Sequence, residues 1–354
     1  MFALLMNTIL VTGGCGFIGS HTCLELLSKG YRILIIDSNI NSKENVIEKI
    51  KKIATINSKD ERIEFIKGDI REYSLLHETF KKEKKVNNGI SAVIHFAALK
   101  SVNESNQYPL EYWDINVGGT ISLLKVMMEH GCYNFIFSSS ATIYGLSENI
   151  IFGEDSPIQP INTYGRTKSA IEKLLDDIQK SQPNLWRIAN LRYFNPIGAH
   201  PSGELGEDPF GMPNNIFPII NKVASKELKQ LKIFGNDYKT IDGTGVRDYI
   251  HVMDVSEGHI VVLEYLLKNK PKIINLNLGT GKGTSVLEII SIFEKVNNIK
   301  LPYIFTERRE GDIAVCVADN QLAKSLLNWE PKKSLEEMCK DGWRWKQKTI
   351  KKEN

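Results

Sequence analysis

Residues 8 to 21 read TILVTGGCGFIGSH, and the fold turns on them. Thr8 to Thr12 have the β-branched and apolar character of a short buried strand. Residues 17 to 29 read as a helix stopped at Gly30. Between them Gly13, Gly14, Gly16 and Gly19 make a tight turn that opens a helix N-terminus, where free amides suit an anion. Outward from this turn, β-rich runs at 31–36, 62–66, 91–96, 133–138 and 186–192 alternate with helical stretches at 43–56, 73–84, 118–130 and 163–180. Such alternation predicts βαβ units and a parallel sheet.

After Asn195 the texture changes. The stretch 195–218 spreads prolines among glycines and acidic residues, so a long ordered loop is expected there. Helices follow at 217–227, 254–268, 285–296 and 334–348, with a turn-rich region at 235–248 and a strand at 273–277. The expected fold class is α/β: a doubly wound, Rossmann-type parallel sheet with a smaller mixed α/β C-terminal lid domain. The expected domains are 1–190, with a possible returning strand from the later chain, and 191–354.

A chain of 354 residues, 42% apolar and 25% charged, has the bulk of an ordinary soluble protein with two domains. Lys and Arg number 45 against 42 Asp and Glu, and a net charge of +3 argues against an obligatory nucleic-acid surface. Cysteines 15, 23, 132, 316 and 339 are odd in number and never form Cys-x-x-Cys. Neither a disulfide framework nor a thiolate zinc site is expected, and a reducing compartment fits. The start lacks the basic region of a signal peptide, and no apolar run reaches 18 residues. A cytoplasmic protein with no membrane partner and no metal is expected.

The spacing Gly13-x-x-Gly16-x-x-Gly19 is one residue longer than the usual dinucleotide-binding glycine pattern, but the physics is the same. Asp37 lies 18 residues past Gly19, after the second strand. A carboxylate there accepts from both ribose hydroxyls of an adenosine and repels a 2′-phosphate, which favours NAD over NADP. The alternatives are plain turn glycines and a turn aspartate. Asp69 suits either an adenine amino group or a helix N-cap. Tyr164 and Lys168 are four apart in a helical stretch, so they share a face. An ammonium and a cationic nicotinamide beside a tyrosine favour its phenolate, bringing its pKa toward the working range. Ser140, at the end of a strand, is placed to orient a sugar hydroxyl toward Tyr164. Singly these are a cap and a chance spacing; together they point to hydride transfer at a secondary alcohol.

The motifs TGGCGFIGSH, HFAALKSV, FSSSATIYG, YGRTK, LRYFNPIGAHPSGELGEDP, GTGVRDYIHVMD and RREGD cover nearly the whole chain. With them the sequence resembles the UDP-glucose (UDP-galactose) 4-epimerases, in the extended short-chain dehydrogenase/reductase group. The resemblance implies a retained NAD, reversible oxidation at C4 of UDP-glucose or UDP-galactose, and a homodimer. It implies Tyr164 as base, Lys168 on the nicotinamide ribose and Ser140 on the 4-hydroxyl. The cofactor set it implies is Gly13, Gly16, Phe17, Ile18, Gly19, Asp37, Asn39, Asp69, Ile70, Phe96, Ala97, Lys100, Asn116, Ser138 and Tyr193, with Tyr164 and Lys168. The substrate set is Lys100, Ser140, Tyr164, Asn195, Asn214, Asn215, Phe234, Arg247, Tyr249, Arg309, Asp312 and Cys316. Arg247 and Arg309 are natural bidentate partners for a pyrophosphate. In the family, a small residue in place of a tyrosine at the Cys316 position goes with use of the N-acetylhexosamine substrates as well. Cys316 as a simple wall filler is the alternative.

Three competing readings are weaker. Dehydratases of similar fold have an acid–base pair where this chain has Ala141 and Thr142, which cannot exchange the proton that elimination needs. A non-catalytic nucleotide sensor has no need of Ser140, Tyr164 and Lys168 together. A nucleic-acid binder lacks its basic–aromatic stripe.

Overall fold

Seven strands make one parallel sheet: β1 (Thr8–Thr12), β2 (Arg32–Asp37), β3 (Ile63–Lys67), β4 (Ile90–His95), β5 (Asn134–Ser140), β6 (Arg187–Tyr193) and β7 (Lys272–Leu278). Every residue of β1 and β2 is buried, as expected of strands covered on both faces. Their order across the sheet is β7-β6-β5-β4-β1-β2-β3, so the order reverses between β1 and β4. In open α/β sheets ligands bind beyond the carboxyl ends of strands at such a reversal. The computed structural model describes residues 7–56, 60–145, 150–309 and 311–353; the apolar start at 1–6 and residue 310, inside RREGD, lie outside them.

The chain divides into two compact units, the first being Met1–Gly145, Pro160–Arg192 and Ser256–Leu276. The second is Leu146–Gln159, Tyr193–Val255 and Asn277–Asn354. The boundary read from the sequence, at 190, falls two residues from one crossing, and the chain crosses at four further points. The physical reason is strand pairing: β7, far along the chain, pairs beside β6, and Ile151–Phe152 pairs with Val315–Ala318.

In the first unit, helix α1 (Phe17–Ser28) begins at Gly16 with no side-chain cap. It ends in a Schellman turn, with Gly30 at φ +84°, Gly30 N bonded to Leu27 O and Tyr31 N to Leu26 O. Helix α2 (Thr163–Ser181) places Ile171 and Leu175 in a core with Leu10, Val93, Leu123, Phe135, Phe137 and Trp186. The stretch before the 119–129 helix is ordered in three steps. A helix Val102–Gln107 is capped by Ser101, a short turn Pro109–Tyr112 follows, and a widened π-helical turn spans Trp113–Gly118. Pro109 interrupts the helical period and opens the second of these steps.

The second unit holds a four-stranded sheet of Thr284–Ser285, Val246–Arg247, Val315–Ala318 and Ile151–Phe152, in that order. Asn195–Ile197 pairs with Tyr249–His251, and Leu231–Phe234 with Tyr303–Thr306. The stretch read as a loop from 195 therefore starts as a strand, and it also contains the bridge between Ala199 and Gly206. These two- to four-residue strands are too short to show a period in sequence. Phe217, Ile220, Leu231, Ile289, Phe293 and Met338 form this unit's core.

Candidate active site

The glycine turn is built by backbone proximity. Gly13 N donates to Ile36 O, while Phe96 N and Ala97 N both donate to Thr12 O, joining the carboxyl ends of β1, β2 and β4. Gly13 has φ +70°, and a Cβ there would lie 2.6 Å from Ala97 N. A Cβ on Gly19 would run into Gly13 O. The turn thus admits only glycine at both points, and the amides of Phe17, Ile18 and Gly19 open an uncapped helix end with no acidic residue in its first turn. That donor set fits a pyrophosphate.

Asp37, the last residue of β2, is 7% exposed. Its Oδ2 accepts from Cys15 N (2.9 Å), and its Oδ1 accepts from Asn39 N (2.9 Å) and Ser42 Oγ (2.8 Å). An oxygen of an ionised carboxylate accepts about two hydrogen bonds. The remaining capacity therefore lies on Oδ2, which suits one ribose hydroxyl better than the pair expected from sequence. Asp69 is taken by Arg71, through its amide, Nε and Nη2, while Arg71 Nη1 reaches Asp114 at 2.6 Å. Asp69 is not a helix cap, since the cap position of the following helix is Glu72. Ile70 beside it is buried. Phe96 packs on the His259 ring at 4.9 Å, and Lys100 is exposed.

Asn116, carried inward by the π-helical turn, is 1% exposed. Its Oδ1 accepts from Leu99 N, and its Nδ2 donates to Leu99 O and to Thr167 Oγ1. Both amide protons are spent on the chain, so Asn116, which the resemblance put in the cofactor set, ties the 96–100 segment to α2. Further in, Thr120 Oγ1 bonds Asn116 O, His95 Nε2 meets Thr120 Oγ1, and His95 Nδ1 meets Thr12 Oγ1. Burial, with help from the Lys168 charge, pushes the His95 ring down to about 3.

Side chains fix the start of α2: Thr163 N, Tyr164 N and Gly165 N donate to Asn106 Oδ1, Ser105 Oγ and Asn162 Oδ1. From that anchored turn Tyr164 and Lys168 face β5. Ser140 hydrogen-bonds Tyr164 and also accepts from Thr142 N and Thr142 Oγ1. Lys168 is 2% exposed, donates to Ser138 O at 2.6 Å, and lies 5.8 Å from the Tyr164 ring centroid. In the protein by itself, burial raises the Tyr164 phenol to about 12, against the pull of the Ser140 hydrogen bond. Burial lowers Lys168 to about 7, with Glu172 opposing. The expected lowering of Tyr164 is thus not a property of the chain alone, because desolvation outweighs the Ser140 hydrogen bond.

Sequence reading passed over the residues behind Lys168. Glu172, one further helical turn along, pairs with Arg192 (2.7 Å) and accepts from Ser139 Oγ (2.5 Å). Arg192 also donates to Tyr144 Oη. The signal for Glu172 was present as the i, i+4, i+8 spacing of Tyr164, Lys168 and Glu172; nothing local announces Arg192.

In the second unit, Phe234, Arg247, Arg309, Asp312 and Cys316 come together. The Arg309 guanidinium lies 4.7 Å over the Phe234 ring, and Arg309 Nε bonds Asp312 Oδ2 at 2.9 Å. Arg247 Nη2 is 3.7 Å from Asp312 Oδ1, and its Nη1 bonds the carbonyls of Val246 and Ile313. Arg247 pairs directly with Cys316 across the sheet, which puts both side chains on one face. Burial raises the Cys316 thiol to about 11. Asp248 pins this strand: its carboxylate accepts from Thr280 N, Thr280 Oγ1, Gly281 N and Ala318 N. Asn195 N bonds Asp248 O, and Asn214 and Asn215 are exposed. Tyr249 is packed into this unit's core, and Tyr193 is likewise buried. Among the described residues no group of three or more His, Cys, Asp or Glu stands together as metal ligands, and no helix is long and apolar enough to cross a membrane.

A profile of the family described as GDP-mannose 4,6 dehydratase matches residues 10–342. The UDP-glucose 4-epimerase of Bacillus subtilis (strain 168) is 48% identical over 342 residues, 97% of each chain. A crystal structure of UDP-glucose 4-epimerase from Stenotrophomonas maltophila with NAD and formylated UDP-arabinopyranose superposes with a TM-score of 0.92 at 43% identity, covering 98% of this chain and 99% of that one. The enzyme from Bifidobacterium longum, in complex with NAD+ and UDP, gives 0.90 at 43% identity over 97% and 99%. The glycine turn, the Ser140–Tyr164–Lys168 cluster and end-to-end identity to these proteins agree: the chain belongs to the UDP-glucose 4-epimerase family.

Proposed function

We propose that the protein interconverts UDP-galactose and UDP-glucose with a bound NAD. The observation that carries the reading is the Tyr164 phenol hydrogen-bonded by Ser140, one helical turn from a buried Lys168. The glycine turn, the amides of Phe17 to Gly19 and Asp37 hold the NAD, which supplies a hydride acceptor restored to its starting state in each turnover. The chain's own part is proton traffic. Tyr164, as phenolate, takes the 4-hydroxyl proton as the 4-keto sugar forms, and returns it after the sugar has turned its other face. Ser140 orients that hydroxyl, and a cation beside Tyr164 opposes the burial that holds its pKa high. Lys168 donates to the nicotinamide ribose. In the second unit, Arg247 and Arg309 hold the pyrophosphate, Phe234 faces the uracil and Asp312 takes the uridine ribose. The remaining members of the two residue sets line the same ligands or, like Asn116 and Tyr249, hold in place the segments that do. The protein works as a cytoplasmic homodimer.

Cys316 extends the range to the N-acetylated hexosamines. It sits beside Arg247, and a tyrosine there would have to move for a 2-acetamido group, with overpacking costing about 1–3 kcal/mol. The test is incubation with UDP-galactose and with UDP-N-acetylgalactosamine, without added NAD, followed by separation of the epimers. Wild type is expected to convert both, and Cys316→Tyr chiefly the first. No conversion of UDP-galactose by wild type refutes the main reading. An unchanged ratio in Cys316→Tyr refutes the role of Cys316.

A further inference from the structure

Behind Lys168 the first unit buries a second charged pair that the chemistry above does not use. Glu172 and Arg192 are 5% and 1% exposed and meet through two bonds, Arg192 Nη2 to Glu172 Oε2 at 2.7 Å and Arg192 Nε to Glu172 Oε1 at 3.1 Å. Burying an ion pair is weak evidence for stability, because desolvation cancels most of the attraction. Its placement has another consequence. Glu172 Oε1 also takes the Ser139 hydroxyl, and Ser139 lies between Ser138, whose carbonyl receives the Lys168 ammonium, and Ser140, which bonds Tyr164. One carboxylate therefore fastens the active end of β5 to the same helix face that carries Tyr164 and Lys168. Arg192, steadied by Tyr144, sets the direction of that carboxylate.

We propose that Glu172 is a positioning residue, held by Arg192, that keeps Lys168 charged and registers Ser138 to Ser140 against α2. This rests on the epimerase reading and deepens it. The charged and titratable groups facing the Lys168–Glu172 pair are Tyr164 on the same helix, His95 on β4, Arg192 on β6 and Tyr144 after β5. His95 stays neutral throughout the working range, since burial holds its ring near 3. Among the described residues, Glu172 is the anion that raises Lys168, and Arg192 is the cation bound to that same carboxylate. Removing the anion leaves two cations in one buried space; removing Arg192 leaves Lys168 an anion of its own. The two variants are therefore expected to act in opposite directions, which a role in packing alone does not predict.

The experiment compares the NAD-loaded wild type with Glu172→Gln, Arg192→Met and the double variant, folded by circular dichroism, in kcat against pH on UDP-galactose. In Glu172→Gln the alkaline limb is expected to move down by about one pH unit, up to about tenfold in rate on that side. In Arg192→Met it moves up, and the double variant, which removes both buried charges together, returns most of the way to wild type. One folded single variant suffices to show the direction. In parallel, the ε-carbon signal of Lys168 in 13C-lysine-labelled protein, recognised by its loss in Lys168→Met, is titrated by NMR, and its midpoint should move with the limb. A uniform fall in kcat at every pH, a double variant no better than Glu172→Gln, or an unmoved Lys168 midpoint overturns the proposal. A wild type that turns over no UDP-hexose overturns the epimerase reading instead, and the NMR midpoints still decide this one.

Discussion

Replacing His95 by glutamine should flatten the acid side of the protein's stability curve. His95 is 2% exposed at the end of β4, between Thr12 at 2.6 Å and Thr120 at 2.9 Å. Thr120 gives its own proton to Asn116 O, so it accepts from Nε2–H and leaves Nδ1 to accept from Thr12. That tautomer has no place for a second ring proton. Burial, with the Lys168 charge, lowers the ring from 6.5 to about 3. A depressed folded-state pKa leaves stability intact above pH 6.5 and removes it as pH falls toward 3, because the unfolded chain takes the proton first. At pH 5 the loss is RT ln(1 + 10^1.5), or about 2 kcal/mol relative to pH 8. Glutamine offers one acceptor and one donor in similar directions and has nothing to titrate. The assay is urea unfolding of both proteins by far-ultraviolet dichroism between pH 8 and pH 5. Wild type should lose about 2 kcal/mol more than His95→Gln over that span. Curves that stay parallel to within about 0.5 kcal/mol would show that the folded protein accommodates the charged ring.

Three other perturbations have defined outcomes. Tyr164→Phe keeps the ring and removes the hydroxyl that Ser140 bonds, so turnover should fall by about 10² to 10⁴ with bound NAD retained; near-normal turnover would send the proton elsewhere. Gly19→Ala drives a methyl into Gly13 O, so the turn must open, with about 1–3 kcal/mol of stability and most of the bound dinucleotide lost. Absorbance of the supernatant after denaturation measures the dinucleotide, and full loading would contradict the geometry. Asp248→Asn turns an amide nitrogen toward donors from Thr280, Gly281 or Ala318, at a cost of about 2–4 kcal/mol. Calorimetric titration with UDP should also weaken, since Arg247 precedes this pin in the chain; unchanged affinity would separate the pin from the ligand-holding cluster.

What the sequence disclosed was whatever a local period or a short spacing can carry. The strand–glycine–helix turn at 8–28, the alternation through 193 and the Tyr164–Lys168 step are all of that kind. Arg71 stood two residues from Asp69 and could have been read as its partner. The π-helical turn that sends Asn116 inward has no period of its own. The pairing of Glu172 with Arg192, and of Arg247 with Asp312, joins separate elements, and only the folded chain brings such groups together. Desolvation is equally invisible: the reading that found Tyr164 and Lys168 weighed an ammonium and a bound nicotinamide beside the phenol, and not the burial that raises it in the protein by itself.

The late arrival of β7 has a consequence for synthesis. β6 ends at residue 193 and β7 begins at 272, so 78 residues must be made before the strand that covers β6 can begin. At roughly 5–20 residues per second that is about 4–16 s. Through that interval the growing chain presents RIANLRY, with one row of backbone donors and acceptors unpaired, as an open template for any other extended segment. A fragment stopped between the two strands carries the same template permanently. The length of that window is set by where the chain doubles back, and it closes when β7 pairs beside β6.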